Sequence, residues 1–247
     1  MLRELKNLFA FLTVLPLRMD EYCLVDSARL MFLFPLVGAF IGLLAGLFGW
    51  VTFLFLPGLV VGGLVLGVLL LLTGLHHTDG LLDFGDGVMA QGTSERKIEV
   101  MHDQLTGAGG LSLGIMTFVV TALALGELDV AVIVQCVVVV EVAAKLSMVV
   151  AAWAGKAVHQ GMNSSFLEAM HGSKGSARLA AALALSFVVA VPLLWVAGAV
   201  ALVAAVIAGL VMVGISHRHF NGVTGDVFGA TNELARMVAV VVLVAMI

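Results

Sequence analysis

The chain has 247 residues, 62% of them hydrophobic and only 11% charged, and it carries a net charge of −4. A mean hydropathy of +1.16 is more than a soluble domain of this length can hide, so a water-soluble globule is excluded and membrane lipid becomes the expected surrounding. No basic stripe accompanies the charge, so nucleic acid is not an expected partner.

Residues 1–28 begin "MLRELKNLFAFLTVLPLRMDEY". Arg3, Glu4 and Lys6 precede an apolar stretch that breaks at Pro16, with no small-residue cleavage site, so this is not a cleavable signal. It is predicted to be an amphipathic helix lying on the membrane surface. The apolar runs that follow are measured against the roughly 20 residues a helix needs to cross a bilayer. Spans are predicted at about 30–56, 59–75, 111–125, 130–153, 179–197 and 200–215, with turns at Pro57-Gly58, at a short "GELD" and near Gly198. A last run, 237–247, is short enough to cross only half way. The expected fold is all-α: a polytopic membrane bundle of six or seven transmembrane helices, one domain over residues 1–247, without internal repeats. Of the two cysteines, Cys136 lies inside an apolar run, so no disulfide framework is expected. Whether like chains associate is left open.

Lys and Arg sort by side. With alternate crossings, eleven of the twelve fall on the N-terminal segment or on connections sharing its side, and Lys145 lies within the fourth span towards that side. The opposite turns hold Glu127 and Asp129 but no Lys or Arg. The positive-inside rule makes the charged side cytoplasmic. The long polar connections, 76–110, 154–178 and 216–236, fall on that side too, so one face of a multi-pass cell-membrane protein carries the chemistry.

The first of these connections opens "HHTDGLLDFGDG". Asp79, Asp83 and Asp86 are spaced i, i+4, i+7, which sets them on one stripe of a helix, with His76 on the same side. Three such carboxylates repel one another unless a cation neutralises them. Oxygen ligands favour Mg²⁺, or Mn²⁺, over zinc, and Mg²⁺ takes few carboxylates and completes its shell with water and substrate phosphates. A zinc site on His76, His77 and Asp79 is disfavoured, because adjacent helical positions diverge by about 100°. Gly80, Gly85 and Gly87 are expected to let a bulky phosphorylated group approach the backbone. Glu141 and Lys145, at i, i+4 within the fourth span, are expected to pair inside the bundle.

The stretch "LHHTDGLLDFGDGVMAQGTSERKIEVMHDQLTGAGG" resembles the signature of the cobalamin synthase family, the adenosylcobinamide-GDP ribazoletransferases. That pattern, close to L-H-x-D-G-x-x-D-x-x-D-G, then an Arg, an I-M-x-D and a glycine-rich turn, maps here onto His77, Asp79, Gly80, Asp83, Asp86 and Gly87, then Arg96, then Met101 and Asp103, then Gly107, Gly109 and Gly110. Near the C-terminus "HRHFNGVTGDVFGATNEL" is similar to R-x-x-G-G-x-T-G-D-x-x-G-A-x-x-E-L, with Asn221 in place of the first Gly of the pair. "FPLVGAFIG" (34–42) is similar as well.

The resemblance implies a magnesium-dependent transferase that joins adenosylcobinamide-GDP to α-ribazole or its 5′-phosphate, releases GMP, and forms adenosylcobalamin or its 5′-phosphate. Asp79, Asp83 and Asp86 are then metal ligands. Asp103 is a further ligand or the general base, which makes Asp86 and Asp103 the catalytic carboxylates. His77, Arg96, Lys97, Lys145, Arg218 and Asp226 are the candidate substrate contacts. Asp83-x-x-Asp86-Gly87 also resembles half of the CDP-alcohol phosphotransferase motif, but the A-R that follows it there is absent from "VMAQG". A membrane transferase of CDP-alcohol or prenyl-diphosphate type remains the alternative, as does an ion-coupled transporter. The topology has a direct test. Single cysteines placed near residues 90, 165 and 225 should resist a membrane-impermeant thiol reagent in intact cells, while Glu127→Cys should react; the reverse pattern would invert the orientation.

Overall fold

A computed structural model describes residues 1–158 and 164–247. Among the described residues the chain is helical throughout, its one β feature being an isolated parallel bridge between Ala157 and Val223. The amphipathic helix α1 (Leu2–Leu12) buries Leu8, Ala10 and Leu12 and leaves Arg3 and Lys6 outward. It packs on α2 (Cys23–Arg29), where Asn7 Nδ2 donates to Asp20 Oδ1 (2.8 Å) and Asp26 Oδ2 (2.9 Å). The apolar helices follow: α3 (Phe34–Phe53), α4 (Gly58–Leu72), α7 (Ala108–Gly126), α8 (Ile133–Ala154), α10 (Gly175–Phe220) and α11 (Gly225–Met246). Shorter helices α5 (His76–Met89), α6 (Ser94–Met101) and α9 (Ser164–His171) lie between them. The polar connection expected over 154–178 is mostly α9 and its flanks; its residues 159–163 lie outside the described residues.

Helix α8 is the axis. Every residue from Cys136 to Ala152 is buried, as expected of a helix that is apolar on all sides and surrounded by others. Helix α3 reaches it through glycine: a Cβ on Gly42 would stand 2.6 Å from the Val137 carbonyl oxygen, and one on Gly46 2.9 Å from Val134 Cα. Lipid offers no hydrophobic drive between helices, so this backbone-level contact is what dispersion attraction requires. Large apolar side chains of α3, α4, α7 and α10, such as Leu47, Leu64, Met116 and Ile207, remain outward, where lipid would meet them.

Two spans differ from expectation. The range α10 comprises two helices joined at a break at Trp195 (φ 49°, ψ −126°). A Cβ on Gly198 would collide with the Ala190 carbonyl, although eight residues of straight helix would separate them by about 12 Å. The chain therefore folds back at Trp195, three residues before the expected turn near Gly198, and the two limbs correspond to the expected fifth and sixth spans. The last span is longer than the apolar run suggests. Helix α11 begins at Gly225, so the expected loop 216–236 shrinks to residues 221–224.

Buried ion pairing is the reason. Arg236, Glu233, Glu141 and Lys145 are all at most 1% exposed. Arg236 Nε and Nη2 donate to the two oxygens of Glu141 (2.5 and 3.2 Å), and its Nη1 donates to Glu233. Lys145 Nζ donates to Asn232 Oδ1 (2.6 Å) and stands 3.8 Å from Glu141. A run-length reading stops at such charges, whereas the fold cancels them across α8 and α11.

Among the described residues five helices are long and apolar enough to cross a membrane, or six if α4 and α5 together form one bent span. After α4 the chain turns by 97° into α5 through Gly74 and Leu75, both left-handed (φ 67° and 62°); a left-handed leucine costs about 1–2 kcal/mol. Helix α5 then lies at one end of the bundle, against the N-termini of α7 and α11 and the end of α10. Glu141→Ala leaves two buried cations short of a partner and should cost about 3–5 kcal/mol, read as a large fall in Tm in detergent. An unchanged melt would show that the network does not hold α11 to α8.

Candidate active site

The ladder helix is seated by its glycines. A Cβ on Gly80 would lie 2.8 Å from the Asp226 carbonyl oxygen, one on Gly85 2.8 Å from Gly110 Cα, and one on Gly229 3.1 Å from His77 Cα. Gly87 faces Met101 and Phe220. These positions are filled by protein backbone and side chains, so the expected phosphate approach at Gly80, Gly85 and Gly87 is corrected: they let α5 dock on α7 and α11.

That docking leaves Asp79 exposed and Asp83 and Asp86 half-buried, and it brings Asp226, in the first turn of α11, up to the ladder. Burial raises the Asp83 carboxyl to about 7, and the negative charges of Asp226, Asp79 and Asp86 add to the rise. Asp86 is engaged differently. Its Oδ2 accepts the Gly107 N–H (2.7 Å) and its Oδ1 the Gly110 N–H (2.8 Å), so it caps α7 from a neighbouring helix. Each oxygen keeps a lone pair.

The other candidates scatter. Asp103 is exposed, and its Oδ1 accepts the Leu105 N–H (3.0 Å) in its own turn. Arg96 is exposed and paired with Glu99 (2.9 Å). Lys97 Nζ lies 2.8 Å from His219 Nδ1, tying α6 to the end of α10. Arg218 is exposed beside it. Lys145 has no exposed surface and is held by Asn232 and Glu141, so its expected substrate contact gives way to a role inside the bundle. His77 is buried and its Nδ1 has no partner among the described residues; desolvation, with Lys145, Arg236 and His76 nearby, holds its pKa well below the usual imidazole value. His76 is exposed, so the two histidines diverge as their spacing requires.

A cavity of about 600 Å³ adjoins this cluster, with Asp79, Asp226, His76, His77, His102 and Thr224 on its wall. His102 was passed over in the sequence, where only its neighbour Asp103 fits a motif; its charge acts on Asp226 across the site. Asn221 caps α10 in a left-handed conformation (φ 62°), which explains why Asn can replace Gly there. Thr224 Oγ1 accepts the Val227 N–H (3.4 Å) and starts α11.

The cobalamin-5-phosphate synthase family model matches residues 4–244. The chain belongs to that family. It is 32% identical to the adenosylcobinamide-GDP ribazoletransferase of Methanocella arvoryzae, over 100% of this chain and 97% of that one. The protein of the same name from Methanococcoides burtonii is 30% identical over 98% and 92% of the two chains, and that from Thermococcus kodakarensis 31% over 97% of each. No solved structure matches.

The donors present suit the hard cation that the family resemblance implies. Among the described residues no three His, Cys, Asp or Glu side chains converge as a finished metal site. Asp79, Asp83 and Asp226 instead supply hard oxygens, and the charges of Asp226 and Asp79 bear on Asp83. That set fits Mg²⁺, which needs only one or two carboxylates when phosphates and water complete its shell. The repulsion has a measurable consequence. Asp83's folded pKa, about 7, lies above an unfolded value of about 3.9. Its contribution to stability is therefore fully present below the unfolded value and lost as pH rises through about 7. Melts in chelator should fall from pH 5 to 8, and Asp83→Asn should flatten that slope; equal slopes would remove the repulsion from the site.

Proposed function

We propose that this chain is a magnesium-dependent transferase of the cytoplasmic membrane. It joins adenosylcobinamide-GDP to α-ribazole or its 5′-phosphate, releasing GMP and forming adenosylcobalamin or its 5′-phosphate. The observation that supports this most is the coincidence of two things: family relatedness over residues 4–244, and the gathering of motif carboxylates from α5 and α11 at one end of the bundle beside a cavity. A transporter would need acids along a path between two faces, whereas these lie in one layer.

The reaction is a phosphodiester exchange. A ribose hydroxyl oxygen of the acceptor bonds to the phosphorus that carries the cobinamide arm. The bond from that phosphorus to the bridging oxygen breaks, GMP leaves with that oxygen, and the hydroxyl proton passes to a base. Asp79, Asp83 and Asp226 would hold Mg²⁺, and the chemistry it would supply when bound is positive charge for the diphosphate. Asp86, fixed by two backbone N–H groups, positions the α7 N-terminus against the ladder. The base is a carboxylate at this end. Asp103 is one choice and Asp226, which lines the cavity, the other. Arg96, Lys97 and Arg218 sit at the same end and supply positive charge for the diphosphate. The charged end faces the cytoplasm, as the placement of Lys and Arg supports.

Purified protein in detergent should release GMP stoichiometrically when given adenosylcobinamide-GDP, α-ribazole and Mg²⁺, without any ion gradient. Asp83→Asn and Asp226→Asn should each lower kcat by at least about 100-fold, the order set by removing a group that acts only in the transition state. Folded protein that forms no GMP but drives gradient-dependent uptake in liposomes would sink the enzyme reading.

A further inference from the structure

The cavity has two unlike walls. Its polar side, from α5, His102 and the start of α11, carries the acids and histidines described above. Its other side comes from α1, α3, α8, α9 and α11 and is apolar: Phe11, Phe34, Phe166 and Phe228 with Met31 and Met148. Phe166 is the hub, with ring centroids 5.3 Å from Phe11, 5.9 Å from Phe34 and 6.4 Å from Phe228. We propose that this aromatic chamber is the acceptor subsite: it takes the flat, largely apolar base of a riboside and points the ribose towards Asp79 and Asp226, with Phe11 and Phe166 determining which bases are accepted.

This rests on the transferase reading, and size and polarity then choose among the three groups the two substrates bring. A chamber of about 600 Å³ is the volume of a pocket for one small organic molecule, and a corrin ring is too large to enter it and stays outside. Guanine has an amino group, a ring N–H and a carbonyl, and a wall of Phe and Met would leave them unpaired at a cost to binding. A bicyclic base with no exocyclic polar group suffers no such loss and stacks on the rings. The subsite also puts the hydroxyl that must attack beside the carboxylates, while the large donor approaches from the opposite, solvent side. That arrangement suits an in-line displacement.

Phe11 is the residue to change, since it is half-buried on a surface helix and its loss spares the bundle. Binding of α-ribazole to detergent-solubilised protein, without donor, is measured by calorimetry beside steady-state GMP release. Phe11→Ala should weaken acceptor binding and raise its KM about tenfold, the scale of losing one base–aromatic contact. The KM for adenosylcobinamide-GDP and kcat should stay within twofold, and Phe11→Leu should fall between. Adenosine, with its polar amino group, should fail to compete with α-ribazole in wild-type protein. Acceptor binding unchanged in both variants, or a rise in the donor's KM instead, would overturn the subsite while leaving the transferase intact. Acceptor binding that weakens as predicted without any GMP release by wild-type protein would support the chamber and reject the reaction.

Discussion

A guanidinium inside a membrane bundle has to be matched, and Arg236 is matched twice, by Glu141 on α8 and by Glu233 on its own helix. Lys145 and Asn232 complete the set. Leaving one such charge without a partner is far more costly than the pair is favourable, so the network acts as a register pin more than as a source of stability. It fixes which residues of α11 face α8. That in turn sets where the first turn of α11 ends up, and with it Thr224, Asp226 and Phe228. The candidate site is built on the end of a helix whose position is decided some ten residues away.

The second constraint is steric. Helix α5 approaches the backbones of α11 and α7 at Gly80 and Gly85 more closely than any side chain allows, and Gly229 of α11 comes tightly against His77. With that face of α5 pressed against protein, the opposite face must carry Asp79, Asp83 and Asp86. The spacing of glycines and aspartates in "DGLLDFGDG" thus encodes two faces at once, one for packing and one for chemistry. Asp86 bridges the two functions: its carboxylate satisfies N–H groups at the start of α7, so the ladder and the α7 N-terminus cannot move independently.

Function follows from what these constraints bring together. Carboxylates held close in a partly desolvated site repel each other, and Asp83 shows it. A preorganised repulsion of this kind is relieved by binding a cation, and the strain is kept by packing far from the reacting groups. The surface helix α1 takes part through Phe11 and Leu12, which close the apolar side of the cavity. A segment that looks like a membrane anchor is therefore also part of the cavity wall.

Much of this was legible in the chain itself. Hydropathy and the one-sided Lys and Arg mark the crossings, because run length and charge are local properties that need no knowledge of neighbours. The i, i+4, i+7 aspartates were legible for the same reason: helical period alone puts them on one stripe. What depends on partners distant in sequence was not. The start of α11 at Gly225 beneath buried charges and the glycines filled by α7 and α11 both require contacts between segments that only the folded bundle juxtaposes. So do the meeting of His102 with Asp226 and the gathering of Phe11, Phe34, Phe166 and Phe228 around one cavity. Residue type and spacing set what each segment can do; packing across the bundle decided which of those residues share a site.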